Sequence, residues 1–413
     1  MVKGWVEKSI SDVLKPNGIK IGPFGSQLKK EILLPDGQYR VYGQENVYNH
    51  DFGLGDRYLS KEHFNRLNSC EIIPGDFVMS TMGTIGKCAI VPDSIQCGIM
   101  DSHLIRLRID GKKINPNYLL QLFSDQYHYL SDQTARLAVG GIMDGLSVGI
   151  VSNLSVIYPE NLDEQNEIVS VLSDMDEAIS NLQKLIRKKK DIRQGTMQML
   201  VTGKKRLDGF SGAWVKINLA KNSRLKARIG WQGLTTAEYL DEGYSYLITG
   251  TDFKDGHINW SGCHYVDYDR YAQDPNIQVS NGDLLLTKDG TIGKVAYISD
   301  LDRPATLNSG VFAVKPITNA YTAHFMFYVL ESSVFKDFLQ QLSAGSTINH
   351  LYQKDLVKFD LYVPPTKEEQ EAIAGILFDM DSDIHRLEKK LSKYQRIKQG
   401  MMEELLTGKV RLM

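Results

Sequence analysis

Between residues 168 and 186 the apolar positions fall at Ile168, Leu172, Met175, Ile179, Leu182 and Ile186, stepping by four, three, four, three and four. Ile373, Leu377, Met380, Ile384, Leu387 and Leu391 step the same way. Steps that average 3.5 residues put one apolar stripe along one side of a helix, as the a and d positions of a coiled coil do. Each stretch opens with a capping-box pattern, Asn161-x-x-Glu164 and Thr366-x-x-Glu369, which predicts an N-cap and an N3 residue. Each ends at a glycine, Gly203 and Gly408, where a helix C-terminus favours the left-handed conformation. Two helices of 35 to 40 residues follow, about 50 to 60 Å long at 1.5 Å per residue. A seam of that length needs a partner. One helix in each part of the chain predicts that the two pack on each other, antiparallel.

Elsewhere the pattern changes to short β-rich runs broken by Gly, Pro, Asn and Asp, which predicts mixed α and β structure. Phe77-Val78-Met79 and Cys88-Ala89-Ile90-Val91 flank the first "GTIGK" (Gly83–Lys87), and Leu284-Leu285-Leu286 and Val295-Ala296-Tyr297-Ile298 flank the second (Gly290–Lys294). Glycines between two such runs predict a hairpin. The alternative, a nucleotide-binding P-loop, needs G-x-x-x-x-G-K-[ST]. Thr81 and Lys288 stand where the first glycine belongs, and Cys88 and Val295 where the hydroxyl belongs. Helices are expected late in each variable part, at Pro116–Tyr129 and Ala323–Leu342.

The double GTIGK is part of a larger repeat. Residues 163–207 align with 368–412 without a gap, and 21 of the 45 positions are identical. The chain is therefore two copies of a unit of roughly 205 residues, a variable part followed by a well-matched helix. The expected limits are 1–158, 159–206, 207–363 and 364–413. The fold class is α+β, with two globular domains separated by a pair of long helices around a pseudo-two-fold axis.

Composition narrows the class. The 413 residues are 42% hydrophobic and 24% charged with a formal net charge of -2, values of an ordinary globular protein. No apolar run reaches membrane-spanning length, and Cys70, Cys88, Cys97 and Cys263 form no C-x-x-C pair. A cytoplasmic protein with no metal is expected. Positive charge is local: Arg187-Lys188-Lys189-Lys190 and Arg193 on one helix, Lys389-Lys390, Lys393, Arg396 and Lys398 on the other. Such runs suit a solvated face or a contact with phosphates or an acidic partner. No catalytic set appears: there is no H-E-x-x-H. Val363-Pro364-Pro365-Thr366 has the wrong chemistry for an adenine-methyltransferase motif. Glu388-Lys389-Lys390 lies in a helix and not in a nuclease strand.

The halves agree at framework positions such as Gly75-Asp76 and Gly282-Asp283, and diverge in loops rich in amides, hydroxyls, aromatics and bases. Amides and arginines read base edges, and lysines and hydroxyls hold phosphates. The candidate DNA contacts are Ser26, Lys29, Gln44, Asn46, Ser80 and Lys87 in the first half, and Arg224, Gln232, Thr251, Lys288 and Lys294 in the second.

Two variable domains, each followed by a helix that opens E-x-Q-x-x-I (Glu164, Gln165, Ile168; Glu369, Gln370, Ile373) and ends L-x-T-G-K-x-R-L (Leu200–Leu207; Leu405–Leu412), resemble the specificity (S) subunits of type I restriction–modification systems. The loop Pro23-Phe24-Gly25-Ser26-Gln27-Leu28-Lys29 and the GTIGK hairpins also resemble that family's target-recognition domains; the second half keeps GTIGK but has Trp231-Gln232-Gly233-Leu234 in place of the loop. The resemblance implies a non-catalytic DNA-binding subunit, each domain reading one half of a bipartite asymmetric site. It implies double-stranded DNA and two methyltransferase (M) subunits as partners, joined in some systems by restriction (R) subunits. S-adenosylmethionine, ATP and Mg are expected on those partners and not on this chain. Two rivals remain open at this point: a coiled-coil scaffold whose domains bind protein or carbohydrate, and a fused methyltransferase or nuclease.

Overall fold

A computed structural model describes residues 2–137, 145–229, 233–343 and 350–412. The chain divides into two compact units. The first takes in everything up to Gln183 together with everything from Lys389 on, and the second is Lys184–Glu388. Both divisions cut through the long helices, Leu162–Val201 and Lys367–Leu405. Each unit thus holds the opening half of its own helix and the closing half of the other.

In the first unit a four-stranded antiparallel sheet runs in the order Leu14–Ile21, Leu104–Ile109, Phe77–Ser80, Cys88–Ile90. A second sheet orders Tyr58–Leu59, Tyr39–Tyr42, Gly98–Met100, Glu71–Ile72, with its two central strands parallel. A two-stranded ribbon sets Trp5 opposite Pro159. Phe77-Val78-Met79 is an unbroken apolar run because both faces of its strand are covered. Phe77 and Met79 enter one cluster with Ile105, Leu107, Tyr118 and Ile168, while Val78 enters another with Val41, Ile99 and Leu104.

The second unit repeats the plan. Its sheets run Ser223–Lys226, Val311–Pro316, Leu284–Thr287, Val295–Tyr297 and His264–Val266, Ser245–Ile248, Ala305–Leu307, Gln278–Val279. Leu284 and Leu286 face one cluster and Leu285 the other. It adds a small hairpin, Phe253–Lys254 with His257–Ile258, that has no counterpart among the described residues of the first unit.

The helix seam forms as the spacing predicts. Ile168 and Leu172 pack with Met402, Leu405 and Leu406 in the first unit; Ile373, Leu377 and Met380 pack with Met197, Leu200 and Val201 in the second. In both, the first turns of one helix meet the last turns of the other, so the packing is antiparallel. Ile179, Leu182, Ile186 and Ile384 are buried, and Met175, Leu387 and Leu391 half-buried.

The late helices need correction. Neither is continuous. The first is Pro116–Leu122 and Tyr129–Leu137, with His128 at φ +59° between them. The second is Ala323–Glu331 and Ser333–Ser343. There the break is Ser332, extended at ψ 176°, whose hydroxyl donates to Val329 O at 2.7 Å and accepts from Val334 N at 3.2 Å. A serine side chain that competes for backbone partners can end one helix and start the next without glycine or proline.

Candidate functional site

The two GTIGK turns are one device built twice. Ser80 Oγ donates to Thr84 O at 2.6 Å and accepts from Lys87 N at 3.0 Å. Thr287 Oγ1 donates to Thr291 O at 2.5 Å and accepts from Lys294 N at 2.9 Å. Both glycines of each turn sit at positive φ, Gly83 at +66° and Gly86 at +83°, Gly290 at +67° and Gly293 at +86°. Ile85 and Ile292 plug into the cores beneath. A Cβ on Gly86 would lie 3.1 Å from Leu130 Cδ2, and one on Gly293 2.4 Å from Leu339 Cδ1, so the helix after each hairpin rests on the second glycine. In both copies the hydroxyl on the strand before the glycines braces the turn from within.

Around this turn the strand ends of the first unit gather several loops. Gly22 N donates to Leu104 O, Thr81 N to His103 O, Leu146 N to Thr81 O and Asp101 N to Tyr42 O. The short helix Gln44–Tyr48 leans over the hairpin, with Tyr48 Oη 2.7 Å from Gln44 Oε1 and 3.1 Å from Thr84 O. That bond leaves the Gln44 amide NH2, which has no partner among the described residues, as a pair of free donors. Arg57 ties the helix to the loop bed, donating to Glu45 Oε1 at 2.7 Å and Asp101 Oδ2 at 3.0 Å. Ser26 and Lys29 are exposed on the neighbouring loop.

Three of the first-half candidates have other work. Asn46 is 0% exposed: its Oδ1 accepts from Gly43 N at 2.9 Å and its Nδ2 donates to Asp51 O and Leu54 O. It shapes the loop and shows nothing to a base. Ser80, also 0% exposed, is the hydroxyl that locks the hairpin. Lys87 is ion-paired with Asp125.

In the second unit Asp252 takes the place of Asn46, accepting from Thr249 N at 2.7 Å and Thr249 Oγ1 at 2.8 Å. Burial pushes its carboxyl up, against those hydrogen bonds. Thr251 is exposed beside it, its hydroxyl 2.7 Å from Thr249 Oγ1. Lys288 is the correction here. It is 9% exposed, with Nζ 3.2 Å from Asp289 Oδ2, 3.4 Å from His350 Nε2 and 5.7 Å above the Phe312 ring. His350 Nδ1 also pairs with Asp289, so lysine, histidine and aspartate form one closed cluster. Arg224 is exposed on a strand, opposite Lys315. Lys294 is exposed and has no side-chain partner among the described residues. Gln232 lies outside the described residues. Arg228, 2% exposed, donates to Leu307 O at 3.0 Å and Thr306 Oγ1 at 3.3 Å; burial, then the nearby Arg270, draws its guanidinium pKa down.

Away from the loops, the residues of E-x-Q and T-G-K-x-R-L assemble the helix junction. Gln165 Oε1 accepts from Asn115 N at 2.7 Å, and its Nε2 donates to Pro159 O at 2.8 Å and Lys113 O at 3.2 Å. Gln370 does the same with Thr322 N at 2.8 Å, Pro364 O at 3.0 Å and Ala320 O at 3.0 Å. The N-caps are present, Asn161 Oδ1 accepting from Asp163 N at 2.8 Å and Thr366 Oγ1 from Glu369 N at 3.3 Å. The glutamates have a further role that the sequence reading missed. Each is 1% exposed and takes a bidentate arginine from the end of the other helix: Glu369 from Arg206, at 2.9 and 2.7 Å, and Glu164 from Arg411. Gly203 and Gly408 are at φ +69° and +71°, and a Cβ on them would lie 3.3 Å from Trp214 and 2.8 Å from Trp5. Much of the basic charge is spent here too, Lys189 on Asp383, Lys190 on Glu388, Arg193 on Asp381 and Glu331, and Lys398 on Asp176.

Among the described residues, no group of three or more His, Cys, Asp or Glu side chains could hold a metal ion, and no helix is long and apolar enough to cross a membrane. The family model described as "Type I restriction modification DNA specificity domain" matches residues 2–222 and 234–398. The chain is similar to the type I restriction enzyme MjaVIII specificity subunit of Methanocaldococcus jannaschii, 25% identical over 330 residues that cover 76% of this chain and 75% of that one. It is similar to the same organism's putative type I restriction enzyme MjaX specificity subunit, 25% identical over 421 residues, 99% of this chain and 94% of the relative. A crystal structure of the type I restriction–modification system S subunit from M. genitalium shares the fold, with a TM-score of 0.61 and 17% identity over 97% of this chain and 96% of that one.

Proposed function

Because the chain belongs to the type I restriction–modification DNA specificity family, we propose that it reads a bipartite, asymmetric sequence in double-stranded DNA, one half-site per variable domain. One observation carries this reading. The two units keep the same framework and differ at the loop edge around the GTIGK turn. The locking hydroxyl, the two positive-φ glycines, the loop-bracing Asn46 or Asp252 and the helix-junction glutamines recur. Gln44, Tyr48 and Met82 on one edge have no likeness to Thr251, Lys288, Asp289 and His350 on the other. One scaffold with two unlike reading edges suits two unlike half-sites, so the full target is not palindromic. Family membership favours this over a scaffold that binds protein or carbohydrate.

Residues 1–158 and 207–363 are the reading domains in this scheme, and 159–206 and 364–413 the spacer helices. The helix pair sets the half-site separation and docks two methyltransferase subunits, which bring S-adenosylmethionine and the methyl-transfer chemistry. Restriction subunits with ATP and Mg complete the complex where the system has them. This chain supplies no catalytic group and works in the cytoplasm with the DNA. The first long helix carries a second apolar line outside its seam, Leu185, Ile192 and Met199, 40%, 48% and 42% exposed at seven-residue steps. An exposed line at heptad spacing suits a further helix from a partner subunit.

Mapping N6-methyladenine genome-wide, with and without this gene and with residues 1–158 exchanged for another domain, tests the reading. Loss of one bipartite motif on deletion, and a change confined to one half on exchange, are expected. An exchange that leaves both halves unchanged refutes it.

A further inference from the structure

The most exposed of the large hydrophobic side chains among the described residues is Phe24, at 73%. It stands at the tip of the loop Gly22–Lys29, and no ring or cation among the described residues touches its ring. Both ends of that loop are pinned. Gly22 N donates to Leu104 O at 2.9 Å, and the backbone is so close that a Cβ there would fall 1.7 Å from Asp101 O. Pro23 is buried, Gln27 N closes a turn onto Phe24 O at 2.8 Å, and Leu28 packs onto the core behind. The phenyl ring is therefore held out by a braced turn.

A single exposed apolar side chain is common on protein surfaces, and what sets Phe24 apart is that a braced turn holds it out from a loop of amides and bases. Gly25, Ser26, Gln27, Lys29 and Lys30 are all exposed, so the aromatic stands in a polar, basic loop. A single ring among bases and amides is the arrangement that stacks on a nucleobase while its neighbours hold phosphates. The loop leaves the sheet beside the turn 101–104, and Thr81 N bonds to His103 O of that same turn. Phe24 thus belongs to the reading edge that also holds Gln44 and Met82. The geometry points to Phe24 as a base-stacking residue in the first half-site, unstacking one base step so that the neighbouring side chains reach the exposed edges. This rests on the DNA-reading role proposed above.

The test uses the complex with its methyltransferase subunits and a duplex carrying the sequence that the complex methylates. Phe24→Ala is expected to weaken binding about 5- to 100-fold, the range for losing one base–aromatic stack. Phe24→Trp should restore it and Phe24→Leu should not, with the salt slope unchanged in all three. 2-Aminopurine placed in turn along the first half-site should change fluorescence at one position with wild type and lose that change with Phe24→Ala. Equal binding by Phe24→Ala, full rescue by Phe24→Leu, or loss of subunit assembly in place of DNA binding each overturns the assignment. A wild-type complex that binds no DNA would overturn the functional reading as well, which separates the two failures.

Discussion

Gln165 and Gln370 are the sharpest test of the duplicated framework. Each is at most 1% exposed and makes three hydrogen bonds, one accepted from a backbone N–H and two donated to carbonyls. Replacing either by leucine keeps the volume and removes all three. The stranded N–H, Asn115 in one unit and Thr322 in the other, costs about 1–3 kcal/mol, and each lost carbonyl bond about 0.5–1.5 kcal/mol. The extra apolar burial of leucine returns about 1 kcal/mol. The net loss is about 3 kcal/mol, and it is local, because those bonds join the start of a short helix to the start of a long one. Amide hydrogen exchange reads it: Gln165→Leu should speed exchange across Pro116–Leu122 roughly a hundredfold and leave Ala323–Glu331 unchanged, and Gln370→Leu should do the reverse. Acceleration below about threefold in the matched helix, or equal acceleration in both, would refute the account.

Alanine at Gly86 or Gly293 should lower the thermal midpoint, because positive φ costs a residue with a Cβ about 1–2 kcal/mol; a neutral result at either position refutes the turn's role. Lys294→Ala should weaken binding to every DNA sequence alike and reduce the salt slope by about 0.9, whereas Lys87→Ala, whose ammonium is already paired with Asp125, should change the slope less; equal slopes would refute the distinction. Hydrogen bonds from Thr235 N and Thr235 Oγ1, then Arg270, pull the Glu238 carboxyl down from 4.5 to about 2. A depressed carboxyl stabilises the fold above its unfolded pKa and loses that effect as pH falls through the folded value. Wild type and Glu238→Gln should therefore differ above about pH 4.5 and converge as pH falls to about 2 in acid-unfolding curves; a difference that persists there refutes it.

The helices and their seam were legible because one periodicity runs from Ile168 to Ile186 and again from Ile373 to Leu391, inside helices of 40 and 39 residues, and the repeat supplied a second copy of the same evidence. The hairpins were legible because two glycines stood between apolar runs. The reading residues were not. Gln44 and Asn46 look alike as letters, yet one turns its amide outward and the other is sealed in by its own loop. Which of them faces out is fixed by backbone donors that no local pattern shows. Lys288 is a candidate DNA contact by residue type, yet Asp289 beside it and His350, 62 residues further on, hold its ammonium. The arginine–glutamate exchange between helix ends had a usable signal. Each copy of the motif carries one buried acid at its start and one arginine at its end, and an antiparallel pair brings start to end.

The repeat shows where the constraint on this fold lies. Ser80 becomes Thr287 and keeps both of its hydrogen bonds, and Asn46 becomes Asp252 and keeps the one it accepts from the backbone N–H three residues before it. At the helix junction Gln121 donates to Asp176 Oδ2 at 3.0 Å, and Tyr328 donates to Asp381 Oδ2 at 3.0 Å. Lys398 and Arg193 complete the two sites, each paired with the same aspartate. The acceptor and the distance persist while the side chain that reaches it changes. A framework defined by hydrogen-bond positions tolerates drift in residue type, provided a donor still arrives. The loop edge around GTIGK is held by contacts that differ between the copies, Tyr48 on Thr84 O in one and Lys288, Asp289 and His350 on one another in the other. Duplication can then separate the two tasks within one chain: hold the scaffold by its bonds, and let the two edges diverge toward different DNA.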